Sequence, residues 1–217
     1  MATKSERTRR MIIERSAELF NQQGFHGTSM ADIMAATGLT KGGIYGNFRR
    51  SGGDKKGVKE EIAVAAFEFA VAEVTRTIRE RTKVMDNVQD KLRSVVYYYK
   101  ERVLNPAISG GCPIQNTSVE ADDNHPVLRD KVREKMDEWH ARMTHVLKRG
   151  IARREIRADL DAAEFSTLFI ATLEGGILLA QLYKDSDRFD VAARQLLRLI
   201  DELKPVNAQI LPTNQSV

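Results

Sequence analysis

Between residues 28 and 48 the chain reads TSMADIMAATGLTKGGIYGNF, and these are residue types that can hold a polyanion. Thr28 and Ser29 stand at a helix start, where hydroxyls and free backbone amides can be offered to a phosphate. Lys41 brings a full positive charge and Tyr45 a phenolic hydroxyl, and Lys55 and Lys56 follow a few residues on. Thr40, Lys41, Gly42 and Gly43 form the leading end of a short helix, the part that reaches base edges in a major groove. Asn47 completes the polar set. Gly42, Gly43 and Gly46 each cost a helix about 1 kcal/mol relative to alanine. Missing side chains there let the backbone approach a duplex closely; the alternative is a poorly formed helix held only by Ile44 and Phe48.

The charge distribution points the same way. Residues 1–60 contain eleven Lys and Arg against six Asp and Glu, while the whole chain of 217 residues carries only +4. The basic excess therefore lies in the first quarter, on a near-neutral body. With 42% apolar and 29% charged residues the composition is that of a globular protein of one or two domains. No uninterrupted apolar stretch approaches the roughly 18 residues of a membrane span, so no membrane partner is expected. The basic N-terminus is not followed by an apolar run of the kind a secretory signal needs. The single cysteine, Cys112, excludes a disulfide framework and points to a reducing, cytoplasmic setting. His26, His125, His140 and His145 show no metal-ligand spacing, and no phosphate loop or nucleophile elbow is present, so no metal, cofactor or catalytic residue is expected.

These residues must be positioned by helices. The first proline is Pro106, and the proline-free run before it favours an all-α chain of about nine helices. Ser5 is a candidate cap for a first helix ending at Gly24, with Ile13, Ala17 and Phe20 on its apolar stripe. Thr28 or Ser29 caps a second helix that Gly38 breaks, and Thr40 caps a third through Phe48. Helices follow from Asp54 to the late seventies and from Asp86 to about Leu104; the latter includes Ser94–Tyr99, strand-like in composition but flanked by helix. Pro113 and Pro126 suit the first turns of the sixth and seventh, Asp161 caps the eighth, and Asp187 or Asp190 starts the ninth. Two short helices about the turn Thr37-Gly38-Leu39, pinned by Ile33, Leu39, Ile44 and Phe48, make a helix-turn-helix plan.

The sequence resembles the TetR family of transcriptional regulators. The resemblance is carried by Gly24-Phe25, Thr28-Ser29, Ile33, Thr37-Gly38, Lys41-Gly42-Gly43-Ile44-Tyr45 and Asn47-Phe48, and covers about residues 8–70. Two departures stand out. Met34 occupies the position four before Gly38 where alanine is usual, and the link Arg49–Lys56 is about four residues longer than usual. The resemblance implies a helix-turn-helix DNA-binding domain over 1–53, a ligand-binding and dimerisation domain over 54–205 and a tail over 206–217. It also implies a palindromic double-stranded operator, a small-molecule effector and a homodimer, acting most simply as a repressor.

Within the body, the eighth helix is apolar almost all round, so it must be covered on two sides. Leu168, Thr172, Gly175, Gly176, Leu179 and Tyr183, with Leu196, Leu199 and Ile200 of the ninth helix, are the candidate dimer interface. Candidate ligand contacts are Tyr97, Tyr98, Asn116, Trp139, Met143, Phe169 and Leu173. Cys112 joins them: at the head of a helix its thiol pKa would fall, which would suit a redox or electrophile sensor. The alternative for Cys112 is a small buried apolar residue.

Overall fold

A computed structural model describes residues 3–48, 57–121 and 125–205. Among them are nine helices and no strand: α1 (Lys4–Gly27), α2 (Met30–Thr37), α3 (Lys41–Asn47), α4 (Gly57–Thr82), α5 (Val88–Arg102), α6 (Pro113–Ala121), α7 (Pro126–Ala152), α8 (Ala162–Tyr183) and α9 (Ser186–Asp201). The all-helical expectation therefore holds. The expected domain boundary near residue 53, the lysines Lys55 and Lys56, and the tail from 206 lie outside the described residues.

The caps show why the elements begin and end where they do. Ser29 starts α2 with a reciprocal capping box to Asp32, Thr40 starts α3, and Asp161 starts α8 by accepting from the Ala163 and Glu164 amides. Three starts differ from the sequence expectation. Thr3, not Ser5, caps α1, because it pairs with Glu6 in a capping box that Ser5 has no acidic partner to form. Asn87 caps α5. Asp185, not Asp187 or Asp190, caps α9. At Gly24 the chain leaves helical geometry (φ 74°) as expected, but a further turn follows to Gly27 across the kink. Ser94–Tyr99 is helical within α5.

Two apolar cores organise the helices. Ile12 of α1, Ile33 of α2, Ile44 of α3, Phe48, and Val58 and Ile62 of α4 form the smaller one. The larger joins α5, α7, α8 and α9 through Leu92, Val96, Leu147, Phe169, Leu173, Phe189, Leu196 and Ile200. α1 and α4 pack side by side and belong to both halves; α6 lies against α1, α4 and α7. Among the described residues α8 alone is long and apolar enough to cross a membrane, and half of its apolar stretch is buried inside the protein.

The α2–α3 turn requires Gly38, which sits in the left-handed region at φ 69° and ψ 13°, with its amide on the Met34 carbonyl at 2.9 Å. Space is not the constraint, since a Cβ there would meet nothing within 4 Å. Gly38→Ala is expected to lose about 1–2 kcal/mol from backbone strain alone, measurable as a lower urea midpoint with an unchanged slope.

Candidate nucleic-acid interface and effector cavity

α3 stands on the small core by its inward face. Ile44 and Phe48 are buried, whereas Thr40, Lys41, Gly42 and Gly46 are exposed. A Cβ at Gly42 or Gly46 would meet nothing within 4 Å. Nothing among the described residues therefore demands the missing side chains, and bare backbone faces outward. The Thr40 hydroxyl accepts from the Gly43 amide at 3.3 Å and sets the helix start. Lys41 Nζ lies 5.6 Å from the centre of the Tyr45 ring, and the Tyr45 hydroxyl has no hydrogen bond among the described residues. Both remain available to phosphate oxygens.

Three of the expected contacts have other work. Thr28 is fully buried and donates to the Gly24 carbonyl at 2.8 Å, so its hydroxyl braces the α1 kink and faces no phosphate. The Ser29 hydroxyl donates to Asp32 Oδ2 at 2.7 Å. That hydroxyl and then the Ser29 amide hold the Asp32 carboxyl below the usual carboxylate range, which places a negative charge beside it. Asn47 donates to the Gly43 carbonyl at 2.8 Å, accepts from the Ser5 hydroxyl at 3.0 Å, and its backbone carbonyl takes Arg9 Nη1 at 2.7 Å. Arg9 also pairs with Glu61 at 2.8 Å and lies 4.0 Å over the Phe48 ring. Arg9 and Asn47 thus lock the end of α3 to α1 and α4; a lone arginine in a basic segment gave no sequence signal of that role.

Between α4, α5, the start of α6 and α7 lies a cavity of about 210 Å³. A dry cavity of about 150 Å³ holds one benzene, so this one has room for a small organic molecule. Cys112, Trp139 and Met143 line it, as the sequence suggested. Tyr98, Phe169 and Leu173 are buried away from it, Tyr97 is 45% exposed, and Asn116 faces α1. Tyr99, which the sequence reading passed over, is the α5 tyrosine that reaches the cavity; Val71, Val74, Thr75 and Ile78 of α4 were missed as well. Successive helical residues point about 100° apart, so among three tyrosines in a row only one faces a given wall.

Cys112 heads α6, its carbonyl accepting from the Asn116 amide at 3.0 Å. Its thiol chemistry runs opposite to the sensor reading and agrees with the buried alternative. Burial, then the neighbouring Glu174 carboxyl, push the thiol pKa well up, against a weaker downward pull from the Gln115 and Ile114 amides. The thiol donates to Glu174 Oε1 at 3.1 Å. Burial raises the Glu174 carboxyl to about 7, with the Cys112 hydrogen bond opposing, and Glu174 Oε2 has no partner among the described residues. A thiol so placed stays protonated, the reverse of the activated thiolate a sensor needs.

The outer faces of α8 and α9 divide the expected interface residues. Leu168, Leu179 and Tyr183 are 49%, 46% and 58% exposed, and Thr172 and Gly175 lie on the same stripe. Leu196 and Ile200 are instead fully buried, and Leu199 packs against the same core. Gly176 is also internal: a Cβ there would come within 2.7 Å of the Ala192 Cβ, so this glycine lets α9 approach within one subunit. Leu178, Leu182 and Val191, exposed at 50%, 69% and 60%, extend the apolar stripe.

A bare short helix after a glycine turn, braced on a small core and joined to a hollow helical body, defines a helix-turn-helix DNA-binding transcriptional regulator. The chain belongs to the TetR family. Residues 12–51 match the family described as bacterial regulatory proteins, tetR family, and residues 89–196 match the tetracyclin repressor-like C-terminal domain. It is 30% identical over 200 residues to the uncharacterized HTH-type transcriptional regulator Rv0196 of Mycobacterium tuberculosis, covering 88% of this chain and 92% of the relative. Among solved structures it is similar to a TetR transcriptional regulator from Chloroflexus aurantiacus (36% identity, 92% and 96% of the two chains, TM-score 0.84). It is also similar to a TetR-family regulator from Cytophaga hutchinsonii (34% identity, 94% and 98% of the two chains, TM-score 0.82).

The buried Glu174 makes stability depend on pH. Its folded pKa of about 7 exceeds the ordinary 4.5, so the penalty of ionising it is absent below about pH 4.5, grows as pH rises, and is complete above about 7. Glu174→Gln keeps an acceptor for the Cys112 thiol and removes the charge. The variant is expected to be more stable than the parent by roughly 3 kcal/mol at pH 8, at 1.36 kcal/mol per unit, and close to it at pH 5, as read by denaturant titration at both values.

Proposed function

We propose that this protein is a homodimeric repressor that binds a palindromic operator and is released by a small molecule seated in the α4–α7 cavity. The observation that carries the reading is the connection between cavity wall and α1. Cys112, Pro113 and Ile114 of the α6 start line the cavity. Within one turn, Asn116 Nδ2 donates to the Asn21 carbonyl and side-chain oxygen, each at 3.0 Å. Asn21 Nδ2 returns to the Ser109 carbonyl at 2.9 Å. Glu120 then accepts from the Phe25 and His26 amides at 2.5 and 2.7 Å, where α1 bends at Gly24. α4 gives a second route, since its Val74 and Ile78 line the cavity and its Val58 and Ile62 belong to the small core. An occupant that displaces α4 or α6 therefore moves the base on which α3 stands.

Repression follows from geometry of two copies. The stripe Leu168, Thr172, Gly175, Leu178, Leu179 and Leu182 supports pairing of α8 with α8 of a second chain about a two-fold axis. Paired α3 helices about 34–36 Å apart would enter successive major grooves on one face of DNA. Lys41 and Tyr45 then hold phosphates, while Thr40, Gly42 and Gly43 meet base edges. The effector acts as a population shift, binding better to a state whose α3 helices are wrongly spaced. The setting is the cytoplasm.

Selection from random duplexes by the purified chain is expected to return two-fold symmetric sites. Lys41→Ala should weaken binding about tenfold and reduce the salt slope by about one ion; selection that returns no symmetric site, or unaltered binding by this variant, contradicts the reading. Leu178→Glu with Leu182→Glu should yield a folded monomer by light scattering, with operator affinity reduced at least tenfold, because two half-sites are no longer linked.

A further inference from the structure

The cavity lining carries more cations than acids. It includes the Tyr99 hydroxyl, which makes no hydrogen bond among the described residues, and the Cys112 thiol, with the Glu174 carboxyl behind it. It also includes Arg79 and Thr82 near the end of α4, Lys91 near the start of α5, and Lys135, Glu138 and Arg142 along α7. Four cations thus accompany one carboxylate in the lining. Glu138 is already shared by Lys135 at 2.7 Å and Arg142 at 3.9 Å. Arg79 and Lys91 have no ion-pair partner among the described residues. Arg79 and Arg142 are exposed and Lys91 is half-buried. The apolar walls include Val74, Ile78, Val95, Trp139, Met143 and Val146. Lys91 and Tyr99 lie eight residues apart on α5, about 12 Å along the helix axis.

We infer that the effector is a small amphipathic anion, with an apolar chain or single ring against Ile78, Val95, Trp139 and Met143 and one carboxylate held by the unpaired lining cations Arg79 and Lys91. The inference rests on the effector reading above and names its ligand. A carboxylate finds two uncommitted cations in the lining, where partial desolvation by its own apolar body strengthens the contact. The reverse orientation would carry the anion toward Glu174, a second acid. A cationic ligand meets repulsion from four side chains of the lining. A neutral apolar molecule fits the walls but leaves Arg79 and Lys91 as they were. The 12 Å span suits a body of about eight carbons between a carboxylate and the Tyr99 hydroxyl.

Trp139 is the only tryptophan in the chain and lines the cavity, so its emission reports occupancy directly. Octanoate, octanol and octylamine at neutral pH and millimolar concentration form a matched anionic, neutral and cationic set. Octanoate is expected to shift the Trp139 emission saturably and to bind about tenfold tighter than octanol, with octylamine weakest. In the Arg79→Gln, Lys91→Gln double variant, octanoate should fall to the level of octanol while octanol is unchanged, which a general loss of folding would not produce. Octanol or octylamine binding as tightly as octanoate, or an anion advantage that survives the double variant, overturns the inference and leaves the effector cavity standing. If none of the three alters the emission, the inference and the cavity's effector role fall together.

Discussion

The bend of α1 at Gly24 gives α6 its hold on the helix that carries the small core. A helix running on without interruption would keep its amides paired with its own carbonyls. The positive φ at Gly24 releases the Phe25 and His26 amides, and the Glu120 carboxylate of α6 takes both. A carboxylate on two backbone donors is a charge-assisted, two-point contact, stronger and more directional than a neutral hydrogen bond. No side chain is needed on the α1 side, only the glycine that frees the backbone. The same helix supplies Ile12 to the small core and Asn21 to the α6 clamp, so α1, packed beside α4, ties the helix-turn-helix to the hollow body.

The sequence makes the DNA-facing half legible because local chemistry decides it. A capping threonine, a left-handed glycine and Ile33, Ile44 and Phe48 spaced for one core leave α2 and α3 few alternatives, and the structure agrees nearly residue for residue. What stayed hidden needed tertiary knowledge. Thr28 looks like a helix-start hydroxyl, but its neighbours bury it on the Gly24 carbonyl. Asn47 sits at the end of a recognition helix yet serves Ser5 and Arg9, more than thirty residues earlier. The three successive tyrosines 97–99 differ only by rotation about α5, and rotation is set by what packs around the helix. In the same way Leu196 and Ile200 read as a surface stripe, whereas α8 claims them, and Leu178 and Leu182 are left outside.

Cys112 shows how a correct position can support a wrong chemistry. It does head α6, and two amides do pull its thiol toward ionisation, yet burial beside Glu174 wins. Desolvation disfavours any charge, while a helix start contributes only a partial one. Cys112 and Glu174, with Tyr99, are better understood as a buried polar patch at the cavity wall: Glu174 raised to about 7, Cys112 protonated, and Tyr99 held neutral well beyond its usual range. Such a patch accepts or donates hydrogen bonds but offers no nucleophile.

The central claim is that α6, a wall of the cavity, is fastened to α1 by Glu120 on the two freed amides, and amide hydrogen exchange at Phe25 and His26 measures this contact directly. The account predicts slow exchange at both positions in the parent chain, comparable with the interior of α1. It predicts a marked loss of protection at both in Glu120→Ala, with the interior of α9 unaffected. Exchange at Phe25 and His26 as fast as in an open loop, or protection that persists unchanged without the Glu120 carboxylate, would contradict it.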